Sequence, residues 1–285
     1  MKKILALVNL KSGSVPDDAE QLLSKALSDL GFDGEVVPFG EEDLKTTARR
    51  AIDKGADALI AWGGDGSVNC VMSTSGPSGP PVLALPGGTM NMLHQRLHHG
   101  RTEWLDILTS ALTDPKIAPW AAGEIEGHRF YVAVMAGRLT TLSESRELVR
   151  QGAILEAIGA AARNEVFDME TRLDFRSRVG SRTVKTLATA GAVVLAGERR
   201  PRFDVAAIDP DSQLDLVSVG VQSLLKGWRD ADDVTVEIAT SVVLEDVHGE
   251  PIPATIDGEP IELPAISEFR LVPDSARVIR AKPVS

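Results

Sequence analysis

The first third of the chain alternates short apolar runs with amphipathic stretches. Lys3 to Val8 is a mostly apolar run that empties into the polar turn Asn9-Leu10-Lys11-Ser12-Gly13, which predicts a strand and its exit. Ala19, Leu22, Leu23, Ala26, Leu27 and Leu30 then fall on one helical face, behind a cap from Asp17 or Asp18. After the Gly31/Gly34 break, Glu35 to Pro38 reads as a second strand. Glu41 to Lys54 follows as a helix, with acidic residues in its first turn and Arg49, Arg50 and Lys54 near its end, as the macrodipole prefers. Ala58 to Trp62 is apolar without alternation, the pattern of a strand buried on both faces. Val68 to Ser73 predicts a helix, Pro77 to Pro81 stops it, and Val82 to Leu85 is a fourth buried strand. Strands alternating with helices predict a parallel sheet with ligands at the carboxyl ends of its strands.

The pattern changes near Ala118. Strand-like runs then follow at Phe130 to Met135, Val166 to Phe175, Val184 to Ala196, Phe203 to Ile208, Leu214 to Val219, Val234 to Val243, Ala254 to Ile256 and Phe269 to Val272. Helix-like pieces interrupt them at Thr141 to Arg163 and Leu224 to Asp230. Many strands with few crossovers predict an antiparallel β-sandwich. The expected organisation is a Rossmann-like α/β domain over 1–118 and a sandwich over 119–275, with a cleft between them as the natural site.

Composition narrows the function classes. A chain of 285 residues with 43% hydrophobic residues can bury a sizeable core. A net charge of −11 argues against a general nucleic-acid binder, which needs surplus Lys and Arg, and against tight docking on an anionic membrane. The single cysteine, Cys70, excludes an internal disulfide. No apolar stretch reaches the length of a membrane span, and the opening MKKILALVNL meets Lys11 and Ser12 too early for a signal peptide, so a cytoplasmic protein is expected.

The candidate chemistry lies in three polar turns at predicted strand ends: Asn9 to Gly13, Gly63 to Ser67, and Pro86 to Asn91. Gly63, Gly64 and Gly66 lack Cβ, so the backbone can take positive φ there and expose its N–H groups to an incoming anion. Asp65 is the one acidic residue in its loop and a candidate to help hold a divalent cation; the competing reading makes it a helix cap in a plain turn. Downstream, Asp257-Gly258-Glu259 is either an ordinary hairpin turn or the site of a catalytic carboxylate. His94, His98 and His99 lack a Cys or carboxylate at ligand spacing and read as a solvated helix end. Trp62 is expected in the core. Trp104, Trp120 and Trp228 either touch lipid or pack on the sandwich.

Four segments in order resemble the diacylglycerol-kinase catalytic-domain family of lipid kinases, which includes sphingosine and ceramide kinases: VNLKSG (Val8 to Gly13), GGDGSVN (Gly63 to Asn69), PGGTMN (Pro86 to Asn91) and IDGE (Ile256 to Glu259). The resemblance implies a Rossmann-like domain followed by a β-sandwich, with 276–285 returning to the first domain and ATP in the cleft. It places Asn9, Ser12, Gly13, Gly63, Gly64, Asp65, Gly66, Ser67, Val68, Asn69, Gly88, Thr89 and Asn91 at the nucleotide. It makes Glu259 the catalytic base, with Asp257 beside it. It also implies a structural Mg²⁺ at the turn around Asp211, with backbone oxygens near Ile208 and Gln213. The acceptor would be a lipid alcohol, reached by transient contact at the inner membrane face, and a homodimer is left open. The chain departs from the family pattern at Leu10, Ser67, Cys70, Met92 and Ser212. An NAD kinase, which shares the Gly-Gly-Asp-Gly loop, and a nucleotide- or lipid-binding module that has lost catalysis are the competing functions.

Overall fold

The computed structural model describes residues 3–39, 44–88, 91–137, 172–198, 200–208 and 234–283. They form two compact units. One comprises residues 1–122 and 272–285, the other 123–271. The divisions therefore fall at 122/123 and 271/272, beside the 118/119 and 275/276 read from the pattern.

The first unit is built on parallel strands in the order β2 (Asp33–Pro38), β1 (Lys3–Val8), β3 (Ala58–Gly63), β4 (Val82–Pro86). Ile4 pairs with Gly34 on one side and with Ala58 on the other. Leu59 pairs with Val82. The returning chain adds a last parallel partner, Val278 beside Val82. All six residues of β3 are buried, because helices cover both faces. On one face, α1 (Ala19–Asp29) and α5 (Trp104–Thr113) pack Leu23, Leu27, Ile107 and Leu108 against Ile4, Ile60, Leu83 and Ile279. The opposite strand residues, such as Leu7, Leu59 and Ala84, are equally buried. Beside them lie α2 (Leu44–Asp53), α3 (Asp65–Ser75) and α4 (Met92–Leu97).

Several elements differ from the sequence expectation. Asp18 stands at the start of α1 but makes no side-chain capping bond, and Leu22 lies exposed. α3 begins at Asp65, earlier than Val68, since the glycine turn runs straight into the helix. α5 was not expected, and α4 was foreseen only as a helix end carrying histidines.

The second unit is a sandwich of antiparallel strands. One sheet runs in the order β12 (Val234–Ala239), β11 (Arg202–Ile208), β10 (Ala190–Ala196), β7 (Ala133–Ala136), β14 (Ile252–Ile256), β15 (Glu259–Leu263). Facing it, the first part of β16 (Ile266–Arg280) pairs with β13 (Ser241–Asp246), which pairs with β8 (Leu173–Val179) and that with β9 (Arg182–Ala188). β5 (Lys116–Ile125) and β6 (His128–Phe130) form a short antiparallel ladder. Alternate residues of both sheets meet in one core around Phe130, Phe203 and Phe269, whose ring centroids stand 5.9 to 6.3 Å apart. The expected single strands Val184 to Ala196 and Val234 to Val243 are each two strands, broken at Thr189 and Thr240. The expected elements at Thr141 to Arg163, Leu214 to Val219 and Leu224 to Asp230 lie outside the described residues, as does Trp228.

Candidate active site

The strand order of the first unit reverses direction between β1 and β3, and a crevice at the carboxyl ends of the strands is where such folds bind ligands. All three polar turns meet at this edge, and side chains of the first turn join it to the other two. Ser12 Oγ accepts the Gly64 N–H at 3.1 Å, and Asn9 Nδ2 donates to Ser67 Oγ at 3.2 Å. Asn9 Oδ1 also accepts the Lys11 N–H at 3.0 Å, which folds its own turn. Ser14 donates its N–H to Gly87 O at 3.0 Å and its hydroxyl to Gly88 O at 3.3 Å. Gly13 sits within this span, and a Cβ there would meet nothing within 4 Å.

The glycines are needed for close approach. None of Gly63, Gly64, Gly66, Gly87 and Gly88 has a positive φ, so the freedom read for the first three is not used; Gly64 is extended, with φ −75° and ψ 175°. A Cβ on Gly88 would lie 2.7 Å from Gly64 Cα, and one on Gly87 would lie 2.8 Å from Gly63 Cα. A Cβ on Gly63 would lie 2.9 Å from Ser67 Cβ. Two turns thus pass backbone against backbone, and a side chain at Gly87 or Gly88 would push them apart, while one at Gly63 would crowd Ser67 in its own turn.

Asp65 occupies the first position of α3, and its two carboxylate oxygens accept the Met92 and Leu93 N–H groups at 3.0 Å each. It therefore caps α4 across the gap between turns, satisfying donors that the first turn of a helix leaves without a carbonyl. Asn91 enters α4 in the left-handed region, φ 48°. Its Oδ1 accepts the Gly87 and Gly88 N–H groups at 3.2 and 2.8 Å, and its Nδ2 donates to Gly88 O at 2.7 Å. Val68 is buried in α3, where its N–H bonds to Gly64 O at 3.1 Å, while Asn69 Oδ1 accepts the Ser73 hydroxyl at 3.1 Å. Thr89 lies outside the described residues.

Beneath this edge, Trp62 is fully buried and donates its indole N–H to Pro86 O at 2.9 Å, which ties the ends of β3 and β4 together. Trp104 lies over it with ring centroids 4.7 Å apart. Trp120 is buried in the first unit, with the guanidinium groups of Arg96 and Arg280 5.8 and 5.5 Å from its ring centroid. Both rings thus have partners within the first unit.

Of the three histidines expected at a solvated helix end, only His99 is exposed. His94 and His98 are buried, 2% and 0% exposed. His98 Nδ1 accepts the Ala281 N–H at 3.1 Å, so Nε2 carries the proton and donates to Ala84 O at 2.9 Å. Burial, with His94 next to it, pushes the His98 pKa down to about 3. Burial also lowers that of His94.

Glu259 and Asp257 belong to the second unit. Asp257 and Gly258 form the two-residue loop between β14 and β15, and Glu259, exposed, opens β15 opposite Ile256. The Asp257 carboxylate accepts the N–H groups of Tyr131, Val132 and Ala133 at 2.8, 2.9 and 3.0 Å. Of the expected metal turn, Asp211 and Gln213 lie outside the described residues, and Ile208 is seen as the last residue of β11. Among the described residues no group of three or more His, Cys, Asp or Glu could hold a metal ion. No helix among them is long and apolar enough to cross a membrane.

The sequence reading missed Ser14 and Gly87. Gly87 was visible in PGGTMN, but nothing in the local pattern marks Ser14, whose role comes from the distant turn it touches.

An α/β unit with glycine turns at its strand ends, joined to an antiparallel sandwich, is the architecture of a known group of proteins. Residues 3–122 match the family model of the diacylglycerol kinase catalytic domain, a span that holds the first three of the four segments, while Ile256 to Glu259 lies beyond it. The crystal structure of a candidate diacylglycerol kinase from Bacillus anthracis str. Sterne is similar over 99% of this chain and 98% of that one, with a TM-score of 0.73 at 19% identity. A second structure, of a diacylglycerol kinase from the same organism, covers 99% and 97% of the two chains with a TM-score of 0.67 at 16% identity. At these identities the likeness shows the fold.

Proposed function

We propose that the protein is an ATP-dependent lipid kinase, transferring the γ-phosphoryl group of MgATP to the hydroxyl of a lipid alcohol such as diacylglycerol or a sphingolipid. The observation that carries this reading is the junction of the three turns, in which glycine backbones pack at distances that leave no room for side chains. Phosphoryl transfer asks the protein mainly for positioning and charge stabilisation, and an open helix start beside glycine turns suits an anionic phosphate chain. In this reading the α3 start, Gly63 to Asn69, and the Gly88 to Asn91 turn receive the phosphates. Asn9 and Ser12 hold the first of these in shape. Asp65 sets the spacing of the two turns through its bonds to Met92 and Leu93, and its carboxylate would help to hold the cation that arrives with the nucleotide.

Glu259 is the base in this reading. As the acceptor oxygen bonds to the γ-phosphorus and the bond to the ADP oxygen breaks, the hydroxyl proton passes to the Glu259 carboxylate. Glu259→Gln keeps the shape and removes the proton acceptor. With labelled MgATP and a panel of lipid alcohols, kcat should fall by about 10²- to 10⁴-fold while ATP affinity holds. Wild-type turnover in this variant would remove Glu259 from the mechanism. Including NAD in the same panel tests the NAD-kinase alternative, and ATP binding without transfer to any acceptor would favour a binding module.

A further inference from the structure

We propose that Asp257 is a positioning residue: its carboxylate anchors the turn that presents Glu259 to the backbone of Tyr131 to Ala133 and takes no part in proton transfer. The proposal rests on the reading of Glu259 as the base. Asp257 and Gly258 have φ 47° and 86°, as a two-residue type I′ hairpin loop requires at both positions. The side chain then does something that such a turn does not need. It gathers three consecutive N–H groups, and the Asp257 N–H returns to Ala133 O at 2.9 Å. Tyr131 and Val132 are buried and lie off the strand ladder between β6 and β7, so their N–H groups need an acceptor from elsewhere.

The choice of residue separates an anchor from a plain turn. Asparagine is the preferred first residue of a type I′ turn, so if the turn were the only requirement Asp257→Asn would be harmless. An anchor needs an acceptor-only group. An amide would bring two donors of its own into a site already holding three. Among the described residues β15 is the edge strand of its sheet, paired with β14, and Glu259 is its first residue. With the anchor gone, the hinge at Gly258 would be free to move the Glu259 carboxylate, and loss of position weakens catalysis without changing which group takes the proton.

The test uses the full chain, with residue-resolved hydrogen exchange and a kinase assay on dioctanoylglycerol in mixed micelles with labelled MgATP. In Asp257→Asn, exchange at Tyr131, Val132 and Ala133 should quicken by roughly 10- to 100-fold. The kcat should fall by about 10- to 100-fold with KM for ATP unchanged, and the pH dependence of kcat should keep its wild-type midpoint. Asp257→Gly, which keeps the turn conformation and removes the acceptor, should behave alike and serves if the Asn variant does not fold. Unchanged exchange at the three amides would overturn the proposal, as would faster exchange with wild-type kcat. So would a pH profile that loses its limb as in Glu259→Gln, because Asp257 would then itself be the titrating group. A wild-type chain silent on the micelles would count against the functional reading, while the exchange result would still decide the anchor.

Discussion

At the scale of single residues, the glycines of the three turns answer two different needs, and substitution separates them. Gly88 faces backbone: an added Cβ would lie 2.7 Å from Gly64 Cα, where no flexible side chain can yield. Gly88→Ala should therefore destabilise the first unit by about 1–3 kcal/mol, seen as a lower melting temperature with or without nucleotide. Gly64 has room for a Cβ, which would meet Gly88 Cα at an ordinary 3.6 Å, and its φ suits any residue. Gly64→Ala should melt like wild type yet bind ATP more weakly, because the methyl stands at the helix start where the phosphates are proposed to lie. Equal ATP affinity in a folded Gly64→Ala would move the phosphates elsewhere. The sequence showed that these glycines matter but suggested the wrong reason, positive φ, because composition cannot distinguish a left-handed residue from a crowded one. Asp65 was legible as a cap, but its partner proved to be a helix 27 positions downstream.

Among the elements, those with a plain period were legible and those with a hidden function were not. β1, β3 and β4 announced themselves as apolar runs between turns. α4 did not, because its six residues carry a histidine and an arginine, and a buried histidine looks polar in a sequence. The breaks at Thr189 and Thr240 escaped notice for a different reason. At each, the chain passes from one sheet of the sandwich to the other, β9 to β10 and β12 to β13, and such a corner needs none of the Gly or Asn that marks a hairpin. The misread histidine has a consequence for stability. His98 titrates near its ordinary 6.5 when unfolded and at about 3 when folded, so between those values the unfolded chain binds more protons. Stability is full above about pH 6.5 and falls as pH drops toward 3, by up to about 1.4 kcal/mol per pH unit, and His94 adds in the same direction. His98→Gln can keep both hydrogen bonds and cannot titrate. Its melting temperature should fall less steeply than wild type between pH 6.5 and 4, and parallel curves would show that His98 does not carry the acid sensitivity.

For the whole molecule, the decisive feature is that the first unit is made from two separated pieces of chain. The family match stops at residue 122, where the chain leaves this unit, and so omits the segment from Val272 onward that completes it. That segment is joined in several independent ways. Val278 pairs with Val82, and Ile279 and Ala281 are buried in the core shared by α1 and α5. Arg280 Nε donates to Leu97 O at 3.1 Å, the Lys282 N–H to Ser110 Oγ at 3.2 Å, and the Ala281 N–H to His98. Residues 1–122 alone would expose the flank of β4, leave His98 Nδ1 without its donor, and uncover the apolar surface against which Ile279 packs. Burial of one such aliphatic side chain is worth about 1.5–3 kcal/mol, a large share of the 5–15 kcal/mol by which a domain is typically stable. The fragment 1–122 should therefore fail to melt cooperatively. The same fragment carrying 272–285 through a flexible linker should regain a cooperative transition and, if the phosphates bind at the three turns, ATP affinity as well. A fragment 1–122 that melts like the linked form would show the returning strand to be an accessory. Recovery of melting without ATP binding would mean that the second unit, with Glu259, contributes to holding the nucleotide as well as to the proposed proton transfer.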